Sequence, residues 1–337
     1  MNNYSFLLPE NESPTYFNLS RYMKKQGWNE SSDYMSANFT EKNFQFDSIT
    51  AECLEFKNKL ANLVEQYCPE VMPLTFCIND QNWISVLNDI ASKFYQRDNQ
   101  VIDTIKNLVW ILKPAELNNG KHIKIFQNLS ELEEHYLRPH RLGGGHVLQQ
   151  YITNPHLLKG PSAGHKYSIR MFIILTNYDG AYLYPEGYFN IAMQPYQDSN
   201  FGDLRCHLTN EHLSDEKINV IQIPTEKYNL FKPLYPKIKN IAKSVINALK
   251  KQYPHSFNCN TNRTLAIFGF DFLVDNNNYV WLLEVNHGPC FPITDDHPLQ
   301  QSLYKIFWQS IISCFVETIA VNKPIAEVKY QLFEKLV

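Results

Sequence analysis

The chain has 337 residues, 44% of them apolar and 14% aromatic, and a net charge of −3. That length supports a sizeable core shared among two or three subdomains, and the near-neutral balance excludes binding to nucleic acid through a broad basic surface. No run approaches the roughly 18 consecutive apolar residues of a membrane span, and the first residues lack the basic start and apolar stretch of a secretory signal, so a cytoplasmic protein with no membrane partner is expected.

The first segment, residues 1–70, holds a short strand (YSFLL), a helix near Tyr16–Gln26 and another near Ala51–Gln66, which predicts a small α/β cap. A middle segment, 71–154, follows with the strand TFCI, a helical stretch, the run LVWILK at Leu108–Lys113, a turn-prone NNGK, the run HIKIF, three glycines at 143–145 and the strand HVLQQYI. The last segment, 155–337, contains YSIRMFIILTN, AYLYPEGYFNIA, the loop CHLTN, a helix near 227–251, a hairpin and a closing helix near 297–321. Strands and helices mix without a regular βαβ alternation, so the fold class is read as α+β. Seven cysteines at 53, 68, 77, 206, 259, 290 and 314 form no CxxC pair, which predicts reduced thiols and no zinc site.

The hairpin, TLAIFGFDFLVDNNNYVWLLEVNHGP over Thr264–Pro289, carries most of the chemistry. If Asn277 and Asn278 form a two-residue turn, Asp271 stands opposite Glu284, and Asn286 lies two further along on the same face. Two carboxylates and an amide oxygen suit a hard cation such as Mg²⁺, and paired acids among Phe270, Phe272 and Trp281 are costly without one. The alternative is a hairpin with a polar outer face.

Other residues extend the pattern, each with a structural alternative. Lys113 ends a strand where it can reach phosphate, or is a solvated strand-end lysine. The turn ending in Gly120-Lys121 can offer backbone N–H groups to phosphate oxygens. Arg170 shares a strand face with Ser168 and Phe172 and needs an anion there, either a transferred phosphate or a structural carboxylate; Lys166 belongs to the same anion site or only to the loop. Gln149, Gln150, Tyr151 and Ile152 occupy a strand end at a subdomain junction, suited to an adenine ring or to ordinary cross-strand bonding. Asn210 is either one more ligand or a loop cap.

Taken in order, HVLQQYITNPHLL, KYSIRMFIILTN, YLYPEGYFNIAMQPY, CHLTN and FGFDFLVD with VWLLEVN resemble tubulin tyrosine ligase and its relatives in the ATP-grasp superfamily. The resemblance implies an ATP-grasp fold with ATP and magnesium held between a central and a C-terminal β-structure. It matches Lys113 to a phosphate-binding lysine and Gln149 with the backbone near Tyr151 to the adenine hinge. Arg170 matches the arginine of an Asp-Ile-Arg motif, Asn210 the asparagine of Leu-Thr-Asn, and Asp271, Glu284 and Asn286 the magnesium ligands. A further N-terminal lysine corresponds to Lys57 or Lys59.

The implied activity is ligation of a free amino acid to a carboxylate of a protein acceptor, tubulin among the candidates, through an acyl phosphate, by a monomeric enzyme. Three departures stand out: Ser168 replaces the aspartate of Asp-Ile-Arg, Asn190 stands where the family has an arginine, and NNGKHIKI replaces a glycine-richer phosphate turn. Loss of a guanidinium that grips a carboxylate removes about 1.5–3 kcal/mol, enough to change the preferred substrate. A catalytically silent nucleotide- or protein-binding module, and a kinase or ligase with a non-tubulin acceptor, are the competing expectations.

Overall fold

The computed structural model describes residues 4–9, 13–95, 108–117, 120–160, 162–209, 221–258, 262–323, 330 and 332–337. Helix and strand mix irregularly along the chain, as the pattern predicts, and the strands form three sheets.

The first sheet is small and parallel. It orders β2 (Asn29–Glu30), β1 (Ser5–Leu7) and β3 (Phe39–Thr40), with α1 (Pro14–Lys25) running between β1 and β2. The single helix expected near Ala51–Gln66 is two. α2 (Ser48–Glu55) starts at Asp47, whose carboxylate accepts the Thr50 N–H, and stops at Phe56, where ψ swings to 121°. α3 (Lys57–Tyr67) then begins afresh. The reason is tertiary: the Lys57 N–H that would continue α2 donates instead to the carbonyl of Ala115, 3.1 Å away in the segment 108–117. Lys57 thereby lies in the first turn of α3, pointing inward.

The second sheet comprises β4 (Thr75–Ile78), β5 (Trp110–Pro114), β6 (Lys124–Phe126) and β7 (His146–Gln150) in the antiparallel order β4-β7-β5-β6. α4 (Trp83–Tyr95) and α5 (Leu129–Leu137) accompany it. The period of two sorts its side chains: Trp110, Leu112 and Leu148 enter a core with Ile78, Ile90 and Leu132, while Ile111, Lys113 and Gln149 face the other way.

The third sheet is the largest. It runs β10 (Ile221–Pro224), β9 (Gly180–Pro195), β8 (His165–Thr176), β11 (Leu265–Val274), β12 (Val280–His287), with β13 (Glu334–Lys335) added beside β9. Ile169, Met171, Ile173 and Leu175 of β8 pack on one face against α2, α3 and α6 (Phe231–Gln252). Phe172 and Ile174 pack on the other face against Phe307 and Trp308 from the closing helical run, Gln300–Ala320, which contains two π turns. Ser168 and Arg170 lie on that second face, at the end of β8 where the core gives way to a cavity.

The hairpin departs from its expected turn. Val274 pairs with Val280, so the loop is Asp275–Tyr279 and not two residues; Asn278 takes φ 60° and its N–H returns to the Asp275 carbonyl 2.9 Å away. A bulge between Asp271 and Phe272 then takes up one residue, Leu283, and restores Asp271 opposite Glu284. Among the described residues, no helix is long and apolar enough to cross a membrane.

Candidate active site

The second and third sheets meet around a cavity of about 300 Å³. Ten of the expected residues line it: Lys113 from β5, Gln149 and Gln150 from β7, Tyr151 and Ile152 just beyond, Lys166 and Arg170 from β8, Asp271 from β11, and Glu284 and Asn286 from β12. Lys121 does not line it; it is exposed at the turn before β6, and Ile123 reaches the cavity instead, so the assignment of Lys121 to phosphate is not carried by its position. Asn210 lies outside the described residues.

At the acidic end, Arg170 and Asp271 are direct register partners on β8 and β11. Arg170 Nε donates to Asp271 Oδ1 and Nη2 to Oδ2 at 2.6 Å, a two-pronged match of guanidinium to carboxylate. Gly269 makes this possible, since an added Cβ would stand 2.8 Å from Arg170 Cδ. Of the two partners anticipated for Arg170, the carboxylate is the one observed. Burial opposes the arginine's charge, but Asp271 and Tyr188 hold it firmly protonated. Asp271 is itself pushed up to about 6 by burial and the neighbouring Glu284, with Arg170 pulling the other way. Burial would raise Glu284 too, yet Lys57, Lys113 and Arg170 outweigh it and hold it below the ordinary carboxylate value.

Among the described residues no three His, Cys, Asp or Glu side chains cluster as metal ligands. The donor set here is two carboxylates and an amide. Asn286 Nδ2 donates to Asp271 Oδ2 at 3.2 Å, and a half-turn of that amide presents its oxygen instead. Two mutually repelling carboxylates with a neighbouring amide fit Mg²⁺, which accepts few protein oxygens and keeps its other positions for water and phosphate.

The basic end is built of lysines from three elements. Lys113 Nζ donates to Gln149 Oε1 at 2.9 Å, and burial lowers its pKa to about 8, with Glu284 opposing. Lys166 Nζ donates to Tyr151 Oη at 2.8 Å and is lowered to about 7 by burial, then by Lys113. Lys57, not Lys59, is the N-terminal lysine that points here. Its Nζ lies 2.8 Å from the Leu117 carbonyl and 3.8 Å from Glu284, whereas Lys59 is half-exposed and bonded to Glu52 at 2.6 Å. Four basic side chains, Lys57, Lys113, Lys166 and Arg170, are therefore set against two carboxylates, a balance that favours a polyanion once the buried lysines are charged.

At the far end, Ser168 and Asn190 are register partners across β8 and β9, so the two departures from the family pattern form one site. Ser168 Oγ shares a hydrogen bond with Thr209 Oγ1 at 2.7 Å, and Gln222 Nε2 donates to Asn190 Oδ1 at 2.9 Å. His207, Leu208 and Thr209 of the CHLTN loop also line the cavity, as do Tyr188, Gln222 and Cys290, none of which the sequence reading named as site residues. Gln222 faces Asn190 from β10, a short edge strand with no local signal; Tyr188 faces Arg170 from β9 and was findable by pairing the two runs.

An antiparallel framework thus brings two carboxylates, an amide and buried lysines to one cleft. The family model described as Tubulin-tyrosine ligase family matches residues 39–324, and the chain belongs to that family. It is 28% identical over 256 residues to the mouse (Mus musculus) protein named Probable tubulin polyglutamylase TTLL2, covering 69% of this chain and 43% of the relative. It is 27% identical to Tubulin glycylase 3D of Tetrahymena thermophila over 62% of this chain and 21% of the relative. To Probable alpha-tubulin polyglutamylase Ttll1 of the same ciliate it is 26% identical over 61% of this chain and 54% of the relative. The chain thus spans less than two thirds of the length of each of these relatives.

Proposed function

We propose that this protein is an ATP- and Mg²⁺-dependent ligase that joins an amino acid to a carboxylate of a protein acceptor through an acyl phosphate; its relatives' names, tubulin polyglutamylase and glycylase, support amino-acid addition to a protein. The single observation that carries the reading is the meeting of Asp271, Glu284 and Asn286 with Lys113, Lys166 and Arg170 around one cavity. Three parts, 1–70, 71–154 and 155–337, are proposed, with the nucleotide between the second and third.

Asp271, Glu284 and Asn286 would hold the magnesium, which neutralises phosphate charge when bound. Lys113 and Lys57 face the same carboxylates and attract the phosphates from the other side. Gln149, which already fixes Lys113, and the chain at Gln150–Ile152 border the place for the adenine ring. Arg170 would steady the transferring phosphoryl group once one prong is released from Asp271, a role of charge and position and not of covalent attack. The acceptor and donor belong at the Ser168–Asn190 end, which offers hydroxyl and amide groups.

The test is ADP release measured with a panel of twenty amino acids and candidate acceptors, tubulin included, followed by intact-mass spectrometry of each acceptor. ADP formation that requires both an amino acid and an acceptor, with an aminoacyl mass gain, supports the ligase. A phosphate mass gain marks a kinase. The paired loss of charge at Ser168 and Asn190 favours a second reading, a silent nucleotide-binding module, and ATP binding without any ADP formation would establish it.

A further inference from the structure

Lys166 is held by a chain of hydrogen bonds that runs along the cavity wall to His207 and the backbone of Asn200. Its Nζ donates to Tyr151 Oη at 2.8 Å and sits 4.2 Å from the centroid of the same ring. Tyr151 Oη lies 2.8 Å from His207 Nδ1, and His207 Nε2 lies 2.9 Å from the Asn200 carbonyl. A backbone carbonyl only accepts, so Nε2 carries the hydrogen. Burial keeps the ring neutral by lowering its pKa, which leaves Nδ1 as an acceptor. The tyrosine hydroxyl must then donate to Nδ1, and its oxygen is turned toward Lys166. Every proton in the chain has one direction, set at its far end by the backbone of residue 200.

The loop is built to keep it so. His207 stacks on Phe201 with centroids 5.1 Å apart and meets Tyr196 edge-on at 5.5 Å; Phe201, Leu208 and Tyr151 cluster in turn with Ile111 of the second sheet and Val109 just before it. Tyr196 anchors the same loop by donating to the Thr153 carbonyl at 2.8 Å.

We propose that His207 and Tyr151 are positioning residues for Lys166: the fixed imidazole tautomer orients the tyrosine hydroxyl, and the hydroxyl commits one of the lysine's three donors, aiming the amine at the cavity. The consequence for ATP rests on the function proposed above; the geometry of the chain does not.

The experiment separates the two. His207→Asn keeps an acceptor oxygen at the δ position for Tyr151, whereas His207→Gln places its amide at the ε position and Tyr151→Phe removes the hydroxyl. Lys166 reactivity is read by brief acetic anhydride labelling and mass spectrometry, the His207 tautomer by ¹⁵N-histidine NMR, and the nucleotide by KM for ATP against kcat, with melting temperature as a folding control. Expected are the Nε2–H tautomer in the parent, altered Lys166 labelling in His207→Gln and Tyr151→Phe with near-parental labelling in His207→Asn, and a rise in KM for ATP of about tenfold in the first two. An Nδ1–H tautomer, or labelling that moves equally in both histidine variants or in none, overturns the proposal. Should the labelling follow this pattern while the parent binds no nucleotide, the positioning role stands and the ATP function falls.

Discussion

Binding of a polyanion to this cavity has to draw protons from solvent, because two of its lysines are partly neutral when the cavity holds only protein charges. With Lys166 near 7 and Lys113 near 8, burial being the main cause of both shifts, charging them fully is a measurable linkage. At pH 7.5 most of the Lys166 amines and a minority of the Lys113 amines are neutral, so ATP binding takes up on the order of one proton. Uptake falls toward zero at pH 6.5, where Asp271 is still partly protonated and releases protons on meeting the cation, and it rises toward about two protons at pH 8.5 by the same linkage. Asp271, near 6, is almost fully ionised at pH 7.5 and releases little on meeting a cation. The assay is isothermal titration calorimetry of premixed Mg-ATP in buffers of different ionisation enthalpy, where the slope of observed enthalpy counts protons. In Lys166→Met the slope at pH 7.5 should drop to well under half the parental value. A zero slope, or net release of protons, would refute the claim that these two buried amines meet the phosphates.

Three further outcomes follow from the same geometry. Asp271→Asn strands the buried Arg170 guanidinium and should cost about 3–5 kcal/mol in urea unfolding, while Arg170→Met combined with Asp271→Leu recovers most of it; a neutral single variant would contradict the burial of the pair. Ser168→Asp and Asn190→Arg, placed on opposed residues, should couple by about 0.5–3 kcal/mol in a double-mutant cycle of stability, whereas additive effects would mean they do not meet. Lys57→Met should weaken ATP binding by about tenfold and Lys59→Met by less than about twofold, and the reverse order would return the N-terminal lysine to Lys59.

Much of this site was legible in sequence because strand periodicity is strict. Glu284 and Asn286 on one face, and Arg170 beside Ser168, follow from alternation alone, and the structure keeps both. The opposition of Asp271 and Glu284 was nevertheless anticipated through the wrong turn. The five-residue loop sets the register off by one and a bulge at Leu283 restores it, a compensation that alternation cannot reveal because a bulge breaks the period it would be read from. The break at Phe56 was invisible for a different reason: its cause, the Ala115 carbonyl, is 59 positions away along the chain from Phe56. Choosing Lys57 over Lys59 needed that break, since it decides which lysine of α3 faces Glu284. Lys121 was misplaced because a glycine turn signals where a chain reverses and not which way its side chains then point. The pairing of Ser168 with Asn190 was hidden in two runs whose register is shifted twice by irregularities along β8 and β9.

The most direct test is a crystal structure of the protein with Mn²⁺ and a non-hydrolysable ATP analogue, reading the metal from its anomalous signal. The expected result is a metal peak about 2.1 Å from oxygens of Asp271, Glu284 and Asn286, with the triphosphate reaching Lys113 and Lys166. A metal bound elsewhere, or a nucleotide lying outside the cavity between the second and third sheets, would contradict it.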